Sequence, residues 1–571
     1  MAKRKTPAKK TASRSAKSAK SANGLKTFSL HAFDATSAPM LNSLRNERAA
    51  HPAFALGGAA GVTQLDPETV AKRYLKQALE SKAVPALTAP KDEGVTSDFK
   101  SLGTETVPLT GTTNVKFRQS LNDIPIYGSL VTVELDDDNE LVSMNSSLGE
   151  PKGVSPVAKI APSDAVKTVA KLPQVRNVDG IVPHLNFYFD AARSKWRLVF
   201  ILEDVPVSHP NDTFKPGPQW SDFVIDAQTG AVVTELPRSP SMAATVENAL
   251  DGKNQTRQIT VEVSGKTKLL LDTKLNVQTF DFKFNDPVVN DTKLPGSALK
   301  NPPKWSTSAV SAHANAEAVA GFLRDVLRRN NIDNKGGAMN SSINCVVKSE
   351  SDDGKQWFNA FWDGKQMVYG QVLNGKSLMS LSVDLDVVGH EMFHGVTDMT
   401  SRLEYALQSG AMNESYSDIF GVIINNFSNP DIINWNWEIG SGLDTGGKPF
   451  RDMRTPTLFN QPDNMKNFKV LPNTDRGDFG GVHTNSGIHN KAAFNILTSV
   501  DSAKKLIFTA TDVAAVFYIT LTQQLSRTSQ FSDSRRGALT AARTLFRAQP
   551  AAQLKQKLDA IAAGFDAVGI V

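Results

Sequence analysis

The segment from Asp384 to Thr400 reads DLDVVGHEMFHGVTDMT and places His390 and His394 four residues apart. On an α-helix such residues lie one turn apart on the same face, so both imidazoles can bind one metal ion. Glu391, which follows the first histidine, can act as a general base beside that ion. The segment therefore predicts a helix that carries a zinc site, with Glu391 as the catalytic base.

A third metal ligand is expected because a catalytic zinc ion takes three protein ligands and keeps one position open. The stretch GAMNESYSD (410–418) is predicted to open a second helix, and it supplies Glu414. The gap between His394 and Glu414 fits a helix end, a turn and the start of a returning helix. Asp418 lies one helical turn after Glu414, so it can accept the second N–H of a ligand histidine and fix its tautomer.

Further blocks of sequence extend this pattern, and together they resemble the thermolysin family of neutral zinc metallopeptidases. The blocks are NAFWDGKQMVYG (359–370), FGGVHTNSGIHNKAAF (479–494) and the C-terminal FDAVGIV (565–571). The resemblance runs from about residue 242 to the C-terminus. It implies an α+β fold in which a β-rich N-lobe precedes an α-helical C-lobe. It also implies a zinc-dependent endopeptidase.

The resemblance assigns roles at matching positions. It implies that His483 hydrogen-bonds the oxyanion, that Asp478 orients His483, and that Tyr405 is a second oxyanion donor. Preorganised donors of this kind are what a tetrahedral intermediate requires. His313 and His489 have no role that the resemblance assigns, and we expect both to be structural, with His489 at the surface or in packing.

Substrate binding is also implied by the resemblance. Asn359 and Ala360 correspond to residues that pair with the substrate backbone, as an added strand would. Arg451 corresponds to an arginine that binds a substrate carbonyl near the S1′ side. An apolar S1′ pocket is implied at Leu381, Val387 and Phe450, which predicts a preference for bulky apolar P1′ residues.

Calcium binding is the point at which the sequence departs from the family. Calcium needs six to eight oxygen ligands, largely from carboxylates. Members with a double calcium site have acids where this chain has Asn425, Asn436 and Ser441, and Lys448 stands where another ligand is expected. Only Asp386 and Glu438 remain, so the sequence predicts one weak calcium site or none.

The first 240 residues or so are predicted to be a pro-region. KFRQSLNDIPIYGSLVTVEL (116–135) resembles the fungalysin/thermolysin propeptide motif, and KWRLVFILEDV (195–205) with WSDFVIDAQTGAVV (220–233) resembles the PepSY propeptide module. Such pro-regions assist folding and inhibit the enzyme until cleavage, so the chain's own pro-region is an expected partner. Self-cleavage is expected in the linker at 236–244, where Met242 would suit an apolar S1′ pocket.

Six segments are predicted. They are a disordered basic tail (1–27), an N-terminal pro-region with a helix opened by Asp66-Pro67-Glu68 (28–103), a fungalysin/thermolysin-type module (104–150), a PepSY-like module (155–236), the catalytic N-lobe (242–388) and the catalytic C-lobe (389–571). The net charge is +5, but the first 30 residues hold nine lysines and arginines and no acid, so the rest is slightly acidic. The Lys/Ala/Ser tail is more typical of a solvated segment than of a nucleic-acid anchor.

Two features of the sequence give opposing predictions of the cellular location. The resemblance favours a secreted enzyme, but the N-terminus lacks the apolar core of a signal peptide, so the cytoplasm or another export route stays open. The single cysteine, Cys345, excludes an intramolecular disulfide. No stretch is apolar enough to predict a membrane span.

Two other functions remain open from sequence. A zinc aminopeptidase shares HExxH and a distal glutamate, although no residue for anchoring a free α-amine is evident. A binding or inhibitory module that keeps its pro-region is the non-enzyme alternative. In both enzyme cases peptides or proteins are the substrates.

Overall fold

The computed structural model describes residues 24–50, 66–80, 97–207, 219–238, 248–264, 267–375, 377–443 and 448–571. Within these ranges strands dominate before about residue 384, and helices dominate after it. This agrees with the predicted α+β class, in which a β-rich part precedes an α-helical part. Most of the basic tail and part of the linker at 236–244 lie outside the described residues.

The first unit is an antiparallel sheet covered on one face by two helices. The sheet order is β1-β6-β5-β3-β2, with β4 paired to β3. Its elements are β1 (Leu25–His31), α1 (Ala38–Ala50), α2 (Pro67–Glu80), β2 (Ser97–Val107), β3 (Thr112–Leu121), β4 (Ile124–Pro125), β5 (Leu130–Leu135) and β6 (Leu141–Gly149).

Helix α2 begins where the sequence predicts. The Asp66 carboxylate accepts a hydrogen bond from the backbone N–H of Thr69 at 3.0 Å, as an N-cap should. Val70, Tyr74 and Ala78 are buried against the sheet, because residues spaced by about four lie on one helix face.

Two of the predicted segment boundaries fall inside strands. Leu25 is buried and pairs with Gly149 at the other end of the unit, so β1 begins inside the segment predicted to be disordered. Strand β2 likewise crosses the predicted boundary at 103/104 and pairs along β3. Long-range strand pairing is not visible in local composition, so the predicted segments assign the strands of one sheet to three different parts of the chain.

A second antiparallel sheet follows, in the order β10-β9-β8-β7, with one helix. Its elements are α3 (Pro162–Ala170), β7 (His184–Asp190), β8 (Lys195–Val207), β9 (Gln219–Asp226) and β10 (Val232–Arg238). Strands β8 and β9 contain the two stretches that resemble the PepSY module, 195–205 and the first part of 220–233. Strand β10 extends to Arg238, so the first residues of the predicted linker are part of the sheet.

The next part is mainly β-structure around one long helix. Its elements are β11 (Ala249–Leu250), β12 (Thr256–Arg257), β13 (Glu262–Ser264), β14 (Thr267–Leu269), β15 (Leu271–Asp272), β16 (Val277–Asp281), β17 (Ser297–Ala298), β18 (Lys300–Asn301), α4 (Thr307–Asp325), β19 (Met339–Ile343), β20 (Trp357–Trp362), β21 (Met367–Asn374) and β22 (Ser377–Ser380). In the largest sheet the order is β15-β16-β19-β21-β20, so β20 is an edge strand.

Helix α4 is capped at its N-terminus by a side chain and ends at a left-handed turn. Ser306 is its N-cap and accepts a hydrogen bond from Ala309 N at 3.2 Å. The helix ends before Arg328, whose φ of 54° is left-handed and incompatible with further α-helix.

The C-terminal part is helical, as predicted. Its elements are α5 (Leu385–Asp398), α6 (Leu407–Asn426), β23 (Glu438–Ile439), β24 (Arg451–Asp452), α7 (Asp478–Leu497), α8 (Ala510–Ile519), α9 (Phe531–Leu545) and α10 (Ala551–Asp566). A π-helical turn (Thr520–Gln524) extends α8. One hydrophobic core joins this part to the preceding sheets.

The first sheet contacts the π-helical turn through polar side chains. Lys116 Nζ donates to Thr522 O at 2.6 Å, and Thr132 Oγ1 donates to Gln523 O at 3.0 Å. Asn145 Nδ2 donates to the Gln524 side chain at 3.0 Å. A π-turn leaves backbone carbonyls without the usual helical partners, and here side chains from the sheet bind them.

The second sheet contacts the helical part at one arginine. Arg527 lies 2.7 Å from Glu203 and 3.2 Å from Asp222, and it also donates to the Tyr127 hydroxyl at 3.2 Å. The two sheets formed by the described residues up to 238 therefore both pack against the helical part. Among the described residues, the helices are all too short or too polar to cross a bilayer.

Candidate metal centre and active site

Helices α5 and α6 cross closely enough to bring their polar faces together. A side chain on Gly421 would lie 2.5 Å from the Asp386 carbonyl oxygen, so this crossing requires glycine. Phe393 and Phe420 stack between the same helices, with ring centroids 3.8 Å apart. The close approach sets the HExxH face of α5 opposite the NESYSD face of α6.

The three predicted metal ligands converge at this crossing. Ligand atoms of His390, His394 and Glu414 all lie within 4.8 Å of one another, and all three side chains are buried. The Glu414 carboxylate lies 3.6 Å from His390 Nε2 and 3.5 Å from His394 Nε2. The sequence-predicted triad is therefore assembled, with two nitrogen donors and one carboxylate.

The far sides of both histidine rings are held by hydrogen bonds. His390 Nδ1 lies 2.8 Å from Asp418 Oδ1, and His394 Nδ1 lies 2.8 Å from Asn413 Oδ1. Since both oxygens are acceptors, each Nδ1 carries the proton. Each Nε2 then presents a lone pair, and the two Nε2 atoms face each other at 3.1 Å.

This arrangement fits a zinc ion. Two nitrogen lone pairs at such a distance repel each other unless both point toward a shared cation. Glu414 Oε2 is buried and has no hydrogen-bond partner among the described residues. Two imidazoles and one carboxylate are also the donor set of catalytic zinc sites, where the fourth position stays open.

Asp418 is held in its ionised form. Burial opposes ionisation, but Arg451 and His390 outweigh it and lower the pKa of Asp418 to about 2. Arg451 Nε and Nη2 donate to the two Asp418 oxygens at 2.9 and 2.8 Å. The predicted substrate-binding arginine thus also supports the acid that orients His390, a contact the sequence did not predict.

Glu391 lies on the side of the centre that faces the large sheet. Its side chain is half-buried. Burial of the Tyr369 hydroxyl on β21 raises the pKa of Tyr369, and the charge of the nearby Glu391 raises it further. Asn359 and Ala360 lie on the neighbouring edge strand β20, which has a bulge at this point. The candidate base and the candidate substrate strand are therefore on the same side of the ligand helix.

The predicted oxyanion residues also come together. The Tyr405 hydroxyl donates to Glu414 and lies 3.1 Å from His483 Nε2. His483 Nε2 is itself 3.4 Å from Glu414 Oε1. The Tyr405 hydroxyl and His483 Nε2 thus lie together beside the metal centre.

Asp478 orients His483 through an unusual turn at the start of α7. Phe479, Gly480 and Gly481 all have positive φ, so regular helix begins only at Val482. This turn directs the Asp478 carboxylate back onto His483, where it accepts from Nδ1 at 2.6 Å and from the backbone N–H at 2.9 Å.

The predicted S1′ residues lie beside the first turn of α5. Leu381 and Val387 are buried in the main core, and Phe450 is half-buried and packs edge-on against Phe358, with centroids 5.5 Å apart. All three are apolar, and Leu381 and Val387 lie next to or within the ligand helix in sequence. Their role as a specificity pocket stays a prediction.

Several supporting residues were missed by sequence reasoning. Asn413, which precedes Glu414, orients His394, and its own N–H donates to Leu403 O at 3.3 Å. His489 is completely buried and hydrogen-bonded on both ring nitrogens, which agrees with the expected packing role and excludes the surface position. His313 is buried and bonded to Thr279, in agreement with a structural role. Adjacency to a ligand could have indicated Asn413, but no local signal indicates His489.

The calcium-related residues form a hydrogen-bonded cluster. Asp386 accepts from Asn425 Nδ2 and from Gly440 N, both at 3.0 Å, and burial with nearby Asp384 raises its pKa. Glu438 accepts from Ser441 Oγ at 2.6 Å. Both carboxylates therefore accept hydrogen bonds from neighbouring groups, and the expectation of one weak calcium site or none stays a prediction.

Comparison with known families gives three matches along the chain. The thermolysin metallopeptidase catalytic domain matches residues 247–398, and the thermolysin metallopeptidase alpha-helical domain matches residues 401–570. The fungalysin/thermolysin propeptide motif matches residues 97–148. The two catalytic matches meet between the HExxH helix and the helix that carries Glu414.

Curated relatives match over most of the chain. Bacillolysin of Bacillus amyloliquefaciens is 30% identical over 500 residues, covering 86% of this chain and 88% of the relative. Bacillolysin of Bacillus subtilis (strain 168) is 30% identical over 504 residues, covering 83% and 90%. Neutral protease NprE of Bacillus pumilus is 38% identical over 275 residues, covering 47% and 83%. Among solved structures, the precursor of protealysin, a metalloproteinase from Serratia proteamaculans, has a TM-score of 0.41 at 27% identity, covering 52% and 87%.

Proposed function

Because the chain belongs to the thermolysin family of metallopeptidases, and is a zinc endopeptidase made with a propeptide, we propose the following roles for its residues. His390, His394 and Glu414 hold the zinc ion, and Glu391 is the general base. The observation that carries this proposal is the convergence of two Nε2 lone pairs and the buried Glu414 oxygen on one point.

A zinc ion at this position would supply Lewis-acid activation of water and of the peptide carbonyl. Glu391 takes the proton of the attacking water and delivers it to the leaving amine. Asp418 and Asn413 keep the protons of His390 and His394 on Nδ1, so both Nε2 atoms stay available as ligands. Arg451 keeps Asp418 charged and in place.

The negative charge that develops on the carbonyl oxygen is stabilised by His483 and Tyr405. His483 Nε2 and the Tyr405 hydroxyl are 3.1 Å apart and both face the metal centre. Asp478 fixes the orientation of the His483 ring through Nδ1. Preorganised donors contribute to rate because they need no reorientation as charge develops.

Peptide substrates bind as an extra strand along β20. Asn359 and Ala360 belong to this edge strand, whose outer backbone groups can pair with an extended peptide. Leu381, Val387 and Phe450 then form the apolar surface for the P1′ side chain. This predicts cleavage before bulky apolar residues.

The pro-region comprises both N-terminal sheets, and it keeps the enzyme a zymogen until the chain is cut. Its contacts with the π-helical turn and with Arg527 are polar and specific, as expected of a region that guides folding of the helical part. We place the cut after β10 and up to residue 244, so that Met242 can occupy the P1′ position. N-terminal sequencing of the processed enzyme tests this, and a start before residue 200 contradicts it.

The proposed activity is tested with a set of N-terminally blocked peptides. The peptides share one sequence and differ only at P1′, with Leu, Phe, Ala or Asp. Cleavage before Leu and Phe, inhibited by a chelator and restored by zinc, is the expected result. Failure to cleave any blocked peptide, together with removal of N-terminal residues from free peptides, would favour the aminopeptidase alternative.

Export follows from the same reasoning. A broad endopeptidase that is restrained by a pro-region is best suited to act outside the compartment where it is made, so we propose that it is secreted. Comparison of the processed form in culture medium and in cell lysate tests the location.

A further inference from the structure

A buried chain of hydrogen bonds leads from the metal centre to helix α9. It passes from Asp418 through Asn490 and Ser415 to His489, and then through Ser534 to Tyr416. All of these side chains are 0% exposed. Helices α6, α7 and α9, far apart in sequence, each contribute residues, so the chain of hydrogen bonds exists only in the folded protein.

The direction of every bond near the metal centre is fixed by its chemistry. Asp418 receives N–H groups from His390 and Arg451, so it is a carboxylate that can only accept. Asn490 Nδ2 therefore donates to Asp418 Oδ2 at 2.8 Å, which leaves Asn490 Oδ1 to accept. Ser415 Oγ donates to this oxygen at 2.6 Å, because an amide oxygen has no proton to give.

His489 must then supply the next proton. Ser415 has used its single proton on Asn490, so at 2.8 Å it accepts from His489 Nδ1. Burial lowers the pKa of His489 to about 3, so its ring carries one proton, on Nδ1. His489 Nε2 is left to accept from Ser534 Oγ at 2.7 Å, and Ser534 in turn accepts from the Tyr416 hydroxyl at 2.8 Å.

The surroundings of His489 leave no alternative partner among the described residues. Its ring stacks on Phe531 at a centroid distance of 5.8 Å and also contacts Phe517 and Phe565. An apolar side chain would fill such an aromatic cage at no desolvation cost. A histidine here is justified by the two hydrogen bonds that it makes, since an unsatisfied buried ring would be costly.

We propose that His489 is a positioning residue for the zinc site. Its tautomer directs Ser415 and Asn490 so that Asn490 N–H holds the Asp418 carboxylate in the orientation that orients His390. This inference rests on the proposed function, because it takes His390 as a zinc ligand. The expected consequence is slower loss of zinc, since groups that orient a ligand histidine typically contribute about 10–100-fold in metal affinity.

The test measures zinc rather than activity, in the full chain carrying Glu391→Gln so that self-cleavage does not intervene. Zinc per chain and the rate of zinc loss to excess chelator are measured for this parent and for His489→Phe. We expect zinc loss about 10-fold faster in His489→Phe, at the lower end of the range because His489 acts through two intermediates. His489→Asn retains an N–H near the Nδ1 position and should restore most of the slow loss.

Two further variants separate positioning from general destabilisation. His313→Phe removes a buried histidine of α4 that bonds Thr279 of β16, outside the hydrogen-bond chain, and this variant should release zinc at the parental rate. Ser534→Ala removes the donor to His489 Nε2 with little change of packing, and it serves as the test if His489→Phe does not fold. It should accelerate zinc loss about 3-fold or more.

The outcomes distinguish this inference from the proposed function. A parent that holds no zinc contradicts the proposed metal site itself. A parent that holds one zinc, with zinc loss in His489→Phe and Ser534→Ala within 2-fold of the parental rate, overturns the role of His489 alone. Equal acceleration in His313→Phe and His489→Phe also overturns it, because the effect would then be one of stability.

Discussion

At the scale of single residues, the groups predicted from local motifs are those that the fold brings together. His390, His394 and Glu414 converge, and His483 lies beside them with Asp478. Such residues were predictable because HExxH and its distal glutamate are defined by spacing on helices. His489 was not predictable, since its partners Ser415 and Ser534 come from helices separated by more than 40 residues.

His483 offers a direct test of oxyanion stabilisation. Replacement by alanine removes a donor that acts in the transition state, so kcat should fall about 10²–10³-fold with a much smaller change in KM. His483→Gln retains an N–H near Nε2 and should recover part of the loss. Steady-state kinetics on a blocked peptide measures both constants, and the zinc content should be that of the wild type.

A rise in KM alone for His483→Ala would contradict this role, because it would mean that His483 binds substrate and transition state equally. Loss of zinc in the same variant would instead place His483 among the groups that hold the metal.

At the scale of elements, α2 and the HExxH helix were predictable, and the limits of others were set by tertiary structure. Asp66 and Pro67 mark the start of α2 locally. The end of α4 depends on a left-handed Arg328, and the π-helical turn after α8 is bound by side chains of the first sheet. Neither feature has a signature in hydrophobic periodicity, so neither was predictable from the sequence.

The cluster between α5, α6 and β23 predicts weak dependence on calcium. Asp386 is already satisfied by Asn425 and Gly440, so calcium has few oxygen ligands to bind. Scanning calorimetry of the Glu391→Gln chain should give melting temperatures within about 2 °C in EGTA and in millimolar calcium. A site saturated 100-fold over its Kd would instead stabilise by about 2.7 kcal/mol.

Asn425→Asp is the matched variant for this cluster. It sets a second carboxylate against Asp386 and should lower the melting temperature in EGTA, with partial recovery on adding calcium. A large calcium effect in the parent chain, with none added by Asn425→Asp, would show that the present cluster is itself a calcium site.

At the scale of the whole molecule, the pro-region is joined to the helical part by buried charges. Arg527 lies among Asp222, Glu203 and the Tyr127 hydroxyl, and Glu404 is in the same group. Burial raises the pKa of Asp222 to about 7 and that of Glu404 to about 7. The sequence predicted a pro-region, but not this contact, because its members come from the segment between β4 and β5, from β8 and β9, from the loop after α5 and from the segment before α9.

These raised pKa values predict that the contact weakens as pH rises. An acid with a pKa of about 7 in the packed state and about 4 when exposed keeps its proton only in the packed state between those values. The stabilisation is therefore full below pH 4 and is lost progressively up to pH 7. His31, whose pKa burial lowers to about 3, acts in the opposite direction below pH 6.5.

Asp222→Asn isolates this effect, because an amide does not titrate. Relative to the Glu391→Gln parent, the variant should gain stability between pH 5.5 and 8, by on the order of 2 kcal/mol. Melting temperatures over this range measure the gain. Asp164→Asn, at an exposed carboxylate on α3, is the control and should show a constant difference, whereas a flat profile for Asp222→Asn would contradict the prediction.

The central claim is that Glu391 is the base of a zinc peptidase whose ligands are His390, His394 and Glu414. The most direct measurement compares the wild-type chain with Glu391→Gln for zinc per chain, release of the pro-region and hydrolysis of a blocked peptide. We predict one zinc in both proteins, with release and hydrolysis in the variant reduced by about 10²–10⁴-fold. A Glu391→Gln chain that holds zinc and cleaves at a rate within 10-fold of the wild type would contradict the account.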